Sequence, residues 1–134
     1  MKLHHIGYAV KNVEKDKEQF LNLGFEKVSD VIIDDSRKIK IIFVKKDACL
    51  IELIEPISED SPTYNILKKN GNSPYHICFI TDDLEKEIKH LKSESYLNVA
   101  KASPAIAFNN NLVVFMYKKE IGLIEILEQK ESIK

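Results

Sequence analysis

Two stretches of the chain decide its fold: HIGYAVKNVEK at residues 5–15 and HICFITDDLEK at residues 76–86, which align without a gap. Their His, Ile, Glu and Lys positions are identical. Further along, LIELIE at residues 50–55 aligns with LIEILE at residues 123–128, and four of the six positions are identical. Because both matches occur in the same order in each half, the chain is an internal repeat.

The hydrophobic pattern predicts the same order of elements, βαβββ, in both halves. Asn12 is expected to cap the first helix and Gly24 to end it, while Asp82 with Glu85 resembles a capping box for the second. The predicted strands cover residues 3–10, 26–33, 38–45, 48–55, 75–81, 95–101, 105–117 (with a potential break at 109–111) and 121–128.

This pattern predicts one α+β domain built from two modules. Module one covers residues 1–57, a connector helix lies within 58–73, and module two covers 74–134. Each module is too small to bury its own sheet well. We therefore expect the two sheets to form one curved, mixed-sheet cleft, with equivalent positions of the repeat on facing walls.

Composition narrows the function classes. Twenty basic against twenty-one acidic residues give a net charge of −1, so no long-range field favours nucleic acid or an anionic membrane. No apolar stretch approaches the length of a membrane span, and the MKLHHIGYAV start lacks an apolar signal core. A cytoplasmic address is the expectation. Cys49 and Cys78 lie in apolar stretches and are expected to behave as small hydrophobic side chains.

The repeat contains two histidines and two glutamates at matching positions. Glu52 follows His5 by 47 residues, and Glu125 follows His76 by 49. Each glutamate shares its strand face with apolar neighbours, where a lone charge is costly unless it meets a cation. Two imidazoles and two carboxylates are a suitable ligand set for Zn, Ni, Co, Fe or Mn. The sequence therefore predicts a site for one divalent metal ion.

Other ionisable residues fit this site less well. Glu55 and Glu128 are also repeated, but they fall on the opposite strand faces and are expected to be solvated. His4 is adjacent to the predicted ligand but has no partner in the repeat, and a shift of one residue points a strand side chain to the other face. His90, among charged neighbours on a helix, is expected at the surface.

The motifs that surround these residues resemble the vicinal oxygen chelate superfamily, which includes glyoxalase I and methylmalonyl-CoA epimerase. The resemblance covers nearly the whole chain and rests on LHHIGYAV, IELIEP, SPTYNILKKNG, YHICFITDDLEKEIKHLK and GLIEILE. The first, second and third of these are most similar to the epimerase. The family's metal-binding positions fall on His5, Glu52, His76 and Glu125.

The resemblance implies an enzyme that removes a proton next to a metal-bound carbonyl, with Glu125 as the proton-transfer residue. The substrate would be an acyl-CoA thioester or a hemithioacetal, and a homodimer is the usual assembly. Alternatives are a lactoylglutathione lyase (glyoxalase I) reaction, a small-molecule-sequestering resistance protein and metal-dependent dioxygen chemistry.

Two departures from the epimerase pattern bear on the reaction. The EQG-like turn that supplies a second acid in epimerases is replaced by IIDDSRK at residues 32–38, where Asp34 or Asp35 could substitute, although turn formation is the favoured role for both. Arg37 is the only arginine of the chain. An arginine-rich glutathione pocket therefore cannot be built within it.

Overall fold

The computed structural model describes residues 1–130, so residues 131–134 of the predicted second module lie outside the described part. Each half contains one strand, one helix and then four strands, and a third helix follows the first half. The first half contains β1 (Lys2–Ala9), α1 (Val13–Asn22), β2 (Glu26–Lys27), β3 (Ile32–Asp34), β4 (Ile39–Lys46) and β5 (Cys49–Pro56), followed by α2 (Pro62–Asn70). The second half contains β6 (Ser73–Thr81), α3 (Leu84–Ser93), β7 (Leu97–Asn98), β8 (Ser103–Ala105), β9 (Asn111–Lys118) and β10 (Gly122–Glu128).

The chain divides into two compact units: an N-terminal unit of residues 5–75, and a C-terminal unit of residues 1–4 with residues from 76 onward. In the N-terminal unit the strand order is β2-β4-β5-β1, and β3 also pairs with β4. β1 and β5 are parallel, whereas the other pairs are antiparallel. Helix α1 covers one face of this sheet over a core of Val10, Val13, Ile42, Val44, Ile51 and Leu53. Helix α2 lies in the same unit, beside β5.

The C-terminal unit repeats this arrangement. Its strand order is β6-β10-β9-β7, β8 also pairs with β9, and β6 and β10 are parallel. Helix α3 covers one face over a core of Leu84, Leu91, Val114, Met116, Ile124 and Ile126. The predicted α+β fold of two similar modules is confirmed. In each unit one helix covers one sheet face, so the opposite face is where the repeated ligand positions lie.

Capping side chains fix where the helices begin. The Asn12 side chain accepts a hydrogen bond from the Lys15 N–H at 2.9 Å, as predicted. The prediction of Asp82 as the cap of α3 is wrong, because Asp83 accepts the equivalent bond from the Lys86 N–H at 3.1 Å. Asp83 is the residue that aligns with Asn12, so the repeat identifies the cap better than local composition does.

The predicted strand after each helix is shorter than expected. Residues 26–33 contain the two-residue β2 and only the first two residues of β3, and residues 95–101 contain only β7. The predicted strand at residues 105–117 is broken by a 3₁₀ turn at Ile106–Phe108. Asn109 and Asn110 have φ values of 55° and 62°, a left-handed conformation that asparagine tolerates better than most residues. Among residues 1–130, no helix is both long enough and apolar enough to cross a membrane.

Candidate functional site

The N-terminal unit holds the first predicted pair on adjacent parallel strands. Glu52 on β5 lies opposite Gly7 on β1, so His5, two residues before Gly7, shares the face of Glu52. The His5 Nε2 atom lies 3.0 Å from Glu52 Oε1. Both residues are buried, at 2% and 4% exposure. The strand register therefore brings the two residues together although 47 positions separate them.

The C-terminal unit holds the second pair in the same arrangement. Glu125 on β10 lies opposite Cys78 on β6, two residues after His76. The His76 Nε2 atom lies 3.3 Å from Glu125 Oε1, and both residues are buried. Each glutamate thus lies opposite the residue two positions after its histidine. The repeat seen in the sequence is a repeat of site geometry within each unit.

A phenylalanine ring lies beside each pair. Phe43 on β4 is opposite Glu52, and its ring is edge-to-face with His5 at a centroid distance of 6.1 Å. Phe115 on β9 is opposite Glu125, and its ring meets His76 in the same way at 5.3 Å. These rings exclude water from one side of each pair and limit rotation of the imidazole. The position of both rings beside the His/Glu pairs was not predicted from the sequence. Each ring nevertheless occupies the strand that precedes a glutamate-bearing strand in the repeat.

The chemistry of each pair fits a divalent ion. Imidazole nitrogen and carboxylate oxygen are both ligands for first-row metals, and burial among apolar side chains makes an uncompensated carboxylate costly. Two donor atoms bound at right angles to one ion, with bonds of about 2.1 Å, lie about 3 Å apart. The separations of 3.0 Å at His5 and Glu52 and 3.3 Å at His76 and Glu125 match that value.

The second repeated glutamate in each unit holds a helix in position. Glu55 Oε1 accepts a hydrogen bond from the Val13 N–H at 2.9 Å, and Glu128 Oε2 accepts one from the Leu84 N–H at 3.0 Å. Both donors belong to the first residue of a helix, α1 or α3. The prediction that these two side chains are solvated is wrong. Each is half-buried and accepts a hydrogen bond from an amide N–H that has no acceptor within the helix.

The remaining histidines, His4 and His90, are not members of these two pairs. His4 is half-buried, and its ring is edge-to-face with Phe108 at 5.7 Å in the C-terminal unit. His90 is exposed on α3, as predicted. Cys78 is buried as predicted, whereas Cys49 is exposed at the start of β5, so the expectation of a buried cysteine is wrong there. An apolar neighbourhood in sequence does not bury a residue at a strand end.

The acidic pair after β3 serves the turn that leads into β4. Asp34 is buried and accepts hydrogen bonds from the Ser36 hydroxyl at 2.8 Å, the Arg37 N–H at 3.1 Å and the Arg37 Nη1 at 3.0 Å. Burial acts to raise the pKa of Asp34, but these hydrogen bonds and the Arg37 charge outweigh it and leave the pKa below its usual value. Asp35 is exposed. Both observations favour turn formation over proton transfer.

Comparisons with known proteins agree with this architecture. The model of the glyoxalase/bleomycin resistance protein/dioxygenase superfamily matches residues 4–115. The mitochondrial methylmalonyl-CoA epimerase of Dictyostelium discoideum is 30% identical over 131 residues, which cover 96% of this chain and 78% of the relative.

Solved structures give the same result. The methylmalonyl-CoA epimerase of Mycobacterium tuberculosis superposes with a TM-score of 0.82 at 25% identity, covering 97% of this chain and 89% of that one. A Streptomyces coelicolor methylmalonyl-CoA epimerase in complex with 2-nitronate-propionyl-CoA has the same fold, with a TM-score of 0.83 at 22% identity over 99% of both chains. The chain therefore belongs to the glyoxalase/bleomycin resistance protein/dioxygenase superfamily.

Proposed function

We propose that this protein is a metal-dependent epimerase that moves the proton next to the carbonyl of an acyl-CoA thioester, in the manner of methylmalonyl-CoA epimerase. The observation that carries the proposal is the buried His/Glu pair that each unit repeats, with donor separations of 3.0 Å and 3.3 Å. The names of the related epimerases supply the substrate class. Glutamates exposed to solvent on an ordinary strand surface, unlike these buried ones, would not support such a function.

His5, Glu52, His76 and Glu125 together would hold one divalent ion, which could be Zn, Ni, Co, Mn or Fe. When bound, the ion supplies a Lewis acid that stabilises negative charge on the carbonyl oxygen of the substrate. Two imidazoles and two carboxylates would be its protein ligands, and oxygens of the substrate would complete its coordination. The buried surroundings strengthen this electrostatic effect, because little water competes for the charge.

Glu125 is the residue that would take the proton from the α-carbon. Its carboxylate is close to His76 Nε2, and it lies opposite a Phe115 ring that is only half-buried. The equivalent ring at Glu52, Phe43, is 7% exposed and leaves less room for approach within its unit. We therefore assign proton transfer to Glu125 and ligation alone to Glu52.

Asp34 is a poor candidate for a second proton carrier. A general base works best when its pKa lies near the working pH, whereas the pKa of Asp34 is lowered by its bonds to Ser36 and Arg37. Proton uptake by Asp34 would also remove the negative charge that faces Arg37 at 3.0 Å. The proposal therefore assigns Glu125 to one of the two proton transfers that inversion at the α-carbon requires, and it does not assign Asp34 to the other.

Deuterium uptake at the α-carbon tests this proposal. Metal-loaded protein in deuterated buffer is expected to exchange the α-proton of methylmalonyl-CoA, and chelation of the metal is expected to stop the exchange. Glu125→Gln should lower the rate at least about 100-fold, which is typical for loss of a general base. Glu128→Gln is the matched control, since it changes the same residue type on the same strand but keeps a hydrogen-bond acceptor for Leu84.

Three results would contradict the proposal. Exchange that Glu125→Gln leaves unchanged would remove Glu125 as the base. Turnover of a glutathione hemithioacetal with no exchange of any acyl-CoA would indicate a lactoylglutathione lyase reaction instead. Tight binding of small molecules with no turnover would indicate a sequestering protein.

Assembly and location also belong to the proposal. We infer a homodimer, which is the assembly that the resemblance to the vicinal oxygen chelate superfamily implies, and the cytoplasmic location stays an expectation from the sequence. Light scattering should give a mass near twice that of the 15.4 kDa chain. A mass equal to one chain at micromolar concentration would contradict the dimer.

A further inference from the structure

Exposed apolar side chains lie next to Glu125 on the ligand-bearing face of the C-terminal unit. Phe115 is half-buried, and Tyr117, Leu97 and Val99 are 43%, 68% and 58% exposed. We call these four residues the apolar strip. Single exposed apolar residues are ordinary on a protein surface, but a contiguous group marks a surface that binds something.

Strand register shows that the apolar strip is continuous with the metal-ligand position. Phe115 lies opposite Glu125, and Tyr117 lies opposite Leu97. The Val99 N–H bonds to the Phe115 carbonyl at 2.9 Å, which continues the same antiparallel register. Neighbouring strands are about 4.8 Å apart, so the strip extends to about 10 Å from the Glu125 backbone.

The same sheet face is closed on the other side of Glu125. Cys78, Val113 and Leu127 form a buried cluster there with Ala105, and Phe108 packs against it. Side chains of this unit therefore fill the surface in that direction. A molecule with its reacting carbon at Glu125 can therefore extend over this unit along the apolar strip.

The N-terminal unit has no equivalent strip, although its fold is the same. Phe43 is buried, and the register position that matches Tyr117 is Lys45, which lies opposite Glu26. Of the four matching positions only Val28 is both apolar and well exposed. The module can thus fold with a glutamate and a lysine opposite each other at the edge of its sheet. The apolar residues of the C-terminal unit are not a requirement of the fold.

We propose that the apolar strip is a subsite for the alkyl substituent on the α-carbon of the acyl thioester. This inference rests on the proposed function and adds a substrate preference to it. The strip offers apolar side chains and the edge of a phenol, so an alkyl group gains from binding there, whereas a carboxylate or phosphate would find no cation among its four residues. The protein should therefore prefer thioesters with substituents longer than methyl.

A chain-length series tests the subsite. The probes are malonyl-CoA thioesters with methyl, ethyl, propyl and butyl substituents, and the readout is kcat/KM for α-proton exchange by metal-loaded protein. Burial of one methylene is expected to raise kcat/KM roughly two- to fourfold. Leu97→Lys and Val99→Lys should remove this gain for butyl, because each change places a charged side chain at an exposed position of the strip.

Val28→Lys is the matched control in the N-terminal unit, because the Val28 N–H bonds to the Phe43 carbonyl as that of Val99 does to Phe115. It should leave the series unchanged. A flat series, or one that Leu97→Lys does not alter, would overturn the subsite while exchange of the methyl substrate keeps the proposed function intact. If light scattering gives a lower molecular mass for Leu97→Lys than for the wild type, the subsite is overturned. The apolar strip would then be an interface between two copies of the chain. No exchange with any thioester would overturn the proposed function itself.

Discussion

The two units differ least where they hold the His/Glu pairs and most at the sheet edge beyond them. Both units contain a histidine, a glutamate and a phenylalanine in the same register, and both have a second glutamate bonded to the first amide of a helix. At the edge, one unit has Glu26 opposite Lys45 and the other has Leu97 opposite Tyr117. The shared positions are those proposed to bind the metal and those that hold the helices, and the divergent positions are where we propose that substrate preference arises.

The two glutamates of each ligand-bearing strand illustrate how position determines role. Glu52 and Glu55 are three residues apart on β5, as Glu125 and Glu128 are on β10. An odd spacing on a strand points the two side chains to opposite faces. One therefore meets a histidine and the other a helix N-terminus, although the residue type is the same.

The largest expected difference between the units is in catalysis. Glu52→Gln and Glu125→Gln both replace a buried residue that is proposed to bind the metal, but only Glu125 is proposed to carry a proton. At saturating metal, Glu125→Gln should lose at least about 100-fold in α-proton exchange, whereas Glu52→Gln should lose about tenfold or less. Equal losses in the two variants would show that the units do not divide these roles. Mass spectrometry of deuterium in recovered methylmalonyl-CoA measures both.

A smaller and symmetric effect is expected for the helix contacts. Glu55→Ala and Glu128→Ala each leave a helix amide without its acceptor, at Val13 and Leu84 respectively. Each change should lower the free energy of unfolding by about 1–2 kcal/mol, the usual cost of losing a helix cap. Urea denaturation followed by circular dichroism measures this. A loss of stability in only one of the two variants would show that the two glutamates are not structurally equivalent.

The smallest expected effect concerns the turn between β3 and β4 in the N-terminal unit, which an ion pair between Asp34 and Arg37 closes. Asp34→Asn should cost about 1 kcal/mol at neutral pH, because the side chain loses the negative charge that faces Arg37 and one of the two oxygens that accept hydrogen bonds. The pKa of Asp34 is lowered in the folded protein, so its carboxylate stabilises the fold above the unfolded pKa of about 4 and ceases to do so as the pH falls through the folded value. The gap between wild type and Asp34→Asn should therefore close in acid; a gap independent of pH would contradict this role.

The sequence predicted the repeat, the module order and both His/Glu pairs, because these depend on periodicity and on matching positions. It mispredicted features that depend on three-dimensional contacts. Nothing in the local sequence indicates that Glu55 reaches Val13 across 42 positions, and Phe43 looked like an ordinary strand residue. The cap of α3 was misassigned to Asp82 because two aspartates are adjacent, although alignment of Asp83 with Asn12 contains the correct answer.

We propose that both His/Glu pairs bind the same ion, and the metal content of the protein tests this most directly. Elemental analysis of wild-type protein should give about one divalent ion per chain. His5→Ala and His76→Ala should each reduce the metal to background, while His90→Ala, at an exposed position on α3, should retain it. Folding of each variant is checked by its thermal unfolding transition. Two ions per chain in the wild type would contradict this prediction. So would a metal content of one ion per chain in His5→Ala or in His76→Ala.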